Sequence, residues 1–162
     1  MHMTRKAFIA ITVGFGVAAR CHAGHVYSPS ELNAQPARFV NQRVTVSGFI
    51  RLTPSGHTLY ESEALAQAFE SQFAKPGPSF RKPETSFRPH ADDNYCLTIA
   101  NPDFMYDAPQ DINRHAVVLR ATFVAPYLKV NQIDLGACAL NTAIRVDEKD
   151  FARRYPEFFR KR

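Results

Sequence analysis

The segment Arg43-Val44-Thr45-Val46-Ser47-Gly48-Phe49-Ile50-Arg51-Leu52 constrains the fold more than any other part of the chain. Val44, Val46, Ile50 and Leu52 alternate with polar residues, the period-2 signature of a strand with one face in a core. Gly48 interrupts that row at its middle, which predicts a bulge or a sharp bend of the kind small barrels need. Pro54-Ser55-Gly56 then reads as a turn, and residues 57–60 as a short returning strand.

Three more strand segments follow. Residues 95–100 form one. Residues 116–124 form a strong one, with Val117, Leu119, Ala121 and Phe123 on a single face, ended by Pro126-Tyr127. Residues 133–146 supply strand material bent near Gly136 and Asn141. The helices are short. Ser28, Pro29 and Glu31 make a cap, a first-turn proline and a capping box. Pro36 stops that helix, a second turn runs through Phe39, and Asn41 is expected in the left-handed conformation. Leu65, Phe69 and Phe73 lie at i, i+4 and i+8 and predict a helix over 61–74, with Glu61 and Glu63 at its positive end. Residues 101–115 read as a loop with weak helical tendency. Phe151, Tyr155, Phe158 and Phe159 predict a final amphipathic helix ending in Arg160-Lys161-Arg162.

Five strand segments, a helix between strands and a glycine in the first long strand imply a mainly β fold. The expectation is a small five-stranded OB-like Greek-key barrel with short helices and a C-terminal helix. The stretch Pro36-Ala37-Arg38-Phe39-Val40-Asn41-Gln42-Arg43-Val44-Thr45-Val46-Ser47-Gly48 resembles the opening of small exported bacterial OB-like domains. Their pattern is a Pro-led turn followed by Gly-Lys-x-Val-x-Val-x-Gly, and Asn41 stands here where Gly is usual. Val117-x-Leu119-x-Ala121 resembles the fourth strand of the same barrels. The resemblance spans 28–147 in outline and is specific over 36–52. It implies the barrel and leaves the function open, because such domains serve many roles.

The first 23 residues read as an export signal: Arg5 and Lys6, an apolar run of 13 residues from Ala7 to Ala19, and Ala23 before a cut at Gly24. The run is shorter than the roughly 20 residues that span a bilayer. An uncleaved N-terminal anchor is the alternative. Cys21 follows Arg20 rather than a small residue, which disfavours lipidation. Gly14-Phe15-Gly16-Val17-Ala18-Ala19 imitates a dinucleotide fingerprint, but no βαβ context follows. The expected division is a signal over 1–23, the barrel over 24–147 and a basic C-terminal helix over 148–162. The expected location is periplasmic or secreted, with no transmembrane span after cleavage.

Charge must be read after that division. The chain has 20 basic and 15 acidic residues. The signal holds three bases and no acids, so the mature chain is net +2. Residues 149–162 hold six bases and two acids, and residues 24–148 hold 11 bases and 13 acids. A barrel with a slightly acidic body does not point to nucleic acid, and export removes most access to it. Cys96 and Cys138 remain as an even pair, which in an exported chain points to a disulfide; the alternative is two buried thiols. In OB barrels the third and fifth strands, which would carry them here, are neighbours, so the resemblance implies the same pairing.

No nucleophile elbow, phosphate loop, zinc-protease or calcium-loop motif occurs. His90, Asp92 and Asp93 have ligating side chains but read better as a polar loop end. Asp111 and His115 would be neighbours on a helix, without a nucleophile nearby. Gly24-His25 could hold copper weakly, and reads better as a disordered terminus. No metal or cofactor is expected, and the chain is read as non-catalytic.

Binding is the stronger expectation. OB-folds bind ligands on the face of their second and third strands. The candidates there are Phe49, Arg51, Tyr60, Tyr95, Tyr127 and Lys129, with core packing of the rings as the alternative. The Pro-rich loop 75–94 contains a repeat, Ser79-Phe80-Arg81-Lys82-Pro83 and Ser86-Phe87-Arg88-Pro89. A loop this long is uncommon unless it is functional or mobile. Phe80, Arg81, Lys82, Phe87 and Arg88 are therefore contact candidates for an anionic ligand or protein partner. Two other readings are a structural envelope-associated module engaging a protein, and an oligosaccharide- or nucleic-acid-binding OB protein.

Overall fold

The computed structural model describes residues 24–53, 56–74, 94–128, 138 and 140–160. The elements run β1 (Val26–Tyr27), α1 (Pro29–Ala34), α2 (Pro36–Phe39), β2 (Arg43–Thr53), β3 (Gly56–Tyr60), α3 (Glu63–Ala74), β4 (Cys96–Ile99), α4 (Asp103–Tyr106), β5 (Ala116–Val124), β6 (Ala143–Val146) and α5 (Glu148–Arg154). A 3₁₀ turn over Pro156–Phe159 follows.

The sheet order is β1-β2-β3-β4-β6-β5, and a β2–β5 pairing closes the last five strands into a barrel. β4 and β6 run parallel; the other barrel pairs are antiparallel. This mixed five-stranded barrel is the small OB-like architecture expected from the strand pattern. β1 is an extra strand, parallel to the start of β2, too short to leave a periodic signal.

Alternation along each strand decides what fills the barrel. Val44, Val46, Ile50, Leu52, Leu59, Leu97, Ile99, Leu119, Phe123 and Ile144 are buried in one apolar core. The inward positions of β2 stay in phase on both sides of Gly48, so the strand bends without a bulge. The reason is a close approach. A Cβ on Gly48 would stand 2.5 Å from the Tyr60 carbonyl oxygen and 2.7 Å from Leu59 Cγ, so only glycine lets β3 fold over β2 there.

The reading of residues 28–41 holds in detail. The Ser28 hydroxyl accepts from Glu31 N, and the Glu31 carboxylate accepts from Ser28 N at 2.7 Å. Asn41 takes φ 60°, and its N–H donates to the Phe123 carbonyl at 2.9 Å, handing the chain into β2.

One expectation is corrected. The single C-terminal helix is two pieces: Pro156 cannot continue α5, and a 3₁₀ turn takes over. Together they cover the part of β5 that the four residues of β6 leave unpaired, and Val118 N donates to the Tyr155 hydroxyl at 2.7 Å. Of the strand material expected over 133–146, Ala143–Val146 is strand, while residues 133–137 and 139 lie outside the described residues. The turn residues Pro54 and Ser55 lie outside the described residues.

Candidate functional site

β2, β3 and β4 present an outer face in two cross-strand rows. Phe49 pairs with Tyr60, and Tyr60 with Cys96; two residues along, Arg51 pairs with Thr58, and Thr58 with Thr98. Ile50, Leu59 and Leu97 point into the barrel, so these neighbours must point out. The fold thus gathers Phe49, Arg51 and Tyr60 on one face, with Tyr95 at its margin.

α3 sits on that face. Ala66 is buried against Phe49, Tyr60 and Cys96, and Phe69, Tyr95 and Cys138 pack around them. Phe49 is 7% exposed and Tyr60 1%. The Tyr60 ring lies 6.1 Å from Phe69 and stacks on Tyr95 at 6.3 Å. Arg51 Nε donates to Glu70 of α3, and Arg51 Nη1 donates to Asn113 Oδ1 at 3.3 Å. Burial, then the neighbouring Tyr95 and Glu70, push the Tyr60 hydroxyl far above its ordinary pKa, and Arg51 offsets this only in part. It stays neutral. The rings of Phe49 and Tyr60 and the guanidinium of Arg51 are engaged within the domain.

Cys96 and Cys138 stand at disulfide-bonding distance, Cα to Cα 5.6 Å. The pair pins the segment before β6 to β4 beside this cluster. Asn33 braces the same region: its amide donates to the carbonyls of Asn94 (2.6 Å) and Cys96 (2.9 Å), and its Oδ1 accepts from Thr142 at 2.7 Å.

The other candidates are placed elsewhere. Tyr127 is half-buried beyond the end of β5, with its N–H donating to the Asn141 carbonyl at 3.2 Å. Lys129, Phe80, Arg81, Lys82, Phe87 and Arg88 lie outside the described residues, as do His90, Asp92 and Asp93. Asp111 and His115 do not sit on a helix. Asp111 accepts from Asn113 N at 2.8 Å, while the His115 ring contacts the Asn113 carbonyl at 2.9 Å and Phe158. His25 packs on Tyr27 at 4.3 Å and lies 3.6 Å from Glu31. No group of three His, Cys, Asp or Glu side chains suited to a metal ion occurs among the described residues.

A second face carries charge that sequence reasoning did not single out. On the outside of β2, β5 and β6, Arg43 pairs with Thr122, and Thr122 with Arg145. Arg120, two residues from Thr122, pairs with Thr45. Arg120 is therefore diagonal to both Arg43 and Arg145, a separation of about 7–8 Å in an antiparallel pair. All three arginines are exposed, and neither Arg43 nor Arg145 has a hydrogen-bond or ion-pair partner among the described residues.

α5 extends this face. Asp150, 4% exposed, receives Arg154 Nε at 2.6 Å, Arg120 at 3.6 Å, and a hydrogen bond from Arg153. Burial works against its charged form, but the bonds from Arg153 and Arg154 and the charge of Arg120 prevail and hold its carboxyl below the ordinary carboxylate range. Asp147 caps α5 by accepting from Asp150 N at 3.1 Å, and Glu148 accepts from Asn101 at 3.1 Å. Five arginines thus share one face with three acids: Asp150, which Arg120, Arg153 and Arg154 engage, and Asp147 and Glu148 at the helix start. Strand alternation puts Arg43, Arg120 and Arg145 outside, but only the register of β5 between β2 and β6 brings those three together.

Compared with models of known protein families, with curated proteins and with solved structures, the chain matches none.

Proposed function

We propose that the protein is an exported, non-catalytic binding module whose partner is anionic, built on the kind of barrel found in small exported bacterial OB-like domains. The observation that carries this reading is the arginine face. Arg43 and Arg145 flank Thr122 with exposed guanidiniums and no acidic partner among the described residues, on a barrel whose residues 24–148 are slightly acidic overall. Guanidinium forks at such spacing recognise phosphate, sulfate or carboxylate groups. With α3 over the β2–β3–β4 face, the second face is the more open of the two.

Export rests on Arg5-Lys6, the apolar run to Ala19 and the small residue Ala23, and is supported by the Cys96–Cys138 pair. Intact-mass analysis of protein from the native envelope is expected to show loss of about 23 residues. Full-length protein recovered from the cytoplasm sinks that part. Residues 75–90, with Lys75, Arg81, Lys82 and Arg88 against Glu84, supply a second basic segment for the same partner.

The binding test is a panel of anionic probes: poly-glutamate, a sulfated polysaccharide, an oligonucleotide and anionic vesicles. At least one is expected to bind at low salt and to be released as salt screens the charges. Replacement of Arg43 and Arg145 by Ser, and separately of Arg81, Lys82 and Arg88 by Ser, should each weaken it. Indifference to every probe would refute the reading.

A further inference from the structure

We infer that the outer face of β2, β5 and β6 is a docking surface for an anionic lipid membrane. This rests on the anionic-partner reading above and goes further by naming the partner's chemistry.

The first ground is shape. A barrel's exterior is convex, and the arginines rise from it between Thr45, Thr122 and Ser47, which are short. Such a face cannot enclose a small anion. It can meet a plane of phosphates, with Arg43 and Arg145 about 10 Å apart across β5, and Arg120 diagonal to each. The second ground is what the three strands lack. No aromatic ring stands between those arginines on the outer positions of β2, β5 and β6, whereas single-stranded nucleic acid is held by ring stacking as well as charge.

The third ground is the apolar edge. Val26 is 45% exposed, one of two large apolar side chains so exposed among the described residues. It pairs with Thr45, which pairs with Arg120, so Val26 lies in the row of Arg120, one row from Arg43 and Arg145. An exposed aliphatic side chain beside the charge adds a small apolar contact to the electrostatic one.

The fourth ground is where the N-terminal chain joins. β1 borders this face, and the apolar run ends at Ala19, seven residues before Val26. Seven residues reach at most about 25 Å. With that run in a bilayer during export, before cleavage, the arginine face is held within reach of the headgroups. The bases Arg5, Lys6 and Arg20 beside the run have the same preference for anionic lipid.

The test is flotation of residues 24–162, the chain left after the proposed cleavage, with vesicles of phosphatidylcholine alone or mixed with phosphatidylglycerol, and with poly-glutamate and an oligonucleotide as soluble probes. Binding is expected to the phosphatidylglycerol vesicles and to be reduced by about 1 M salt, where the screening length falls to about 3 Å. Replacing Arg43 and Arg145 by Ser should weaken partitioning roughly 30-fold, since each arginine near such a surface contributes about five- to sixfold. Replacing both by Lys should keep it within a few-fold. The apolar run is absent from all variants, so the differences read the face. Thermal unfolding checks the fold; if the serine pair melts early, Arg43→Gln with Arg145→Gln gives the same comparison. Equal binding to neutral vesicles, or a serine pair that binds like the parent, overturns the inference. Binding to a soluble probe without binding to vesicles overturns it too, and leaves the anionic-partner reading standing. Binding to no probe removes both.

Discussion

Arg51 of β2 and Glu70 of α3 form an ion pair that ties the helix to the outer face of the barrel, and Arg114 stands 4.0 Å from the same carboxylate. The side chains of Arg51 and Glu70 are 20% and 33% exposed, between a surface pair and a buried one. A double-mutant cycle with Arg51→Ala and Glu70→Ala is expected to give a coupling of about 1 kcal/mol in denaturant unfolding. Zero coupling would show that Ala66 and Phe69 hold the helix without help from charge.

Gly48→Ala tests the bend of β2. The added methyl meets a backbone oxygen at 2.5 Å as well as the Leu59 side chain, and a backbone atom cannot yield as a side-chain tip does. Destabilisation of about 3 kcal/mol, or failure to fold, is expected. A fully stable Ala variant would mean that β3 crosses β2 less closely than this.

Asp150 gives the stability a pH signature. Its folded pKa is lowered below the ordinary 3.8, so its contribution is complete above that value and is lost as pH falls through the lower folded pKa. Because its arginine partners are partly exposed, Asp150→Asn should cost about 1–3 kcal/mol near neutral pH. The difference from the parent should shrink in acid. A constant difference across that window would contradict the assignment.

Cys96 and Cys138, 42 residues apart in sequence, should contribute about 2–4 kcal/mol when bonded. The denatured, unreduced protein should show neither as a free thiol, and replacing both by Ala should lower the unfolding midpoint. Two reactive thiols in material from the native compartment would overturn the bond.

The barrel was legible because its signals are local. Alternation in 43–52 and 116–124, the capping box at Ser28 and the left-handed Asn41 need no knowledge of distant residues. Pro156 also lay in plain view as a helix breaker, and the aromatic spacing of 151–159 obscured it. The candidate site was legible only in part. Alternation places Phe49 and Arg51 outside the barrel, but one strand's pattern does not say whether its outer face meets water or a helix.

Composition and periodicity by themselves determined a mainly β barrel with a bend at Gly48, an apolar N-terminal run and a cysteine pair. Tertiary structure alone decided which outer face is covered. The stripe of α3 is apolar enough to need a surface, and the row Phe49–Tyr60–Cys96 exists only once β2, β3 and β4 are in register. The same dependence brings Arg43, Arg120 and Arg145 together. Each is one polar position in a strand, and their adjacency is a property of cross-strand pairing, which no local stretch of sequence contains.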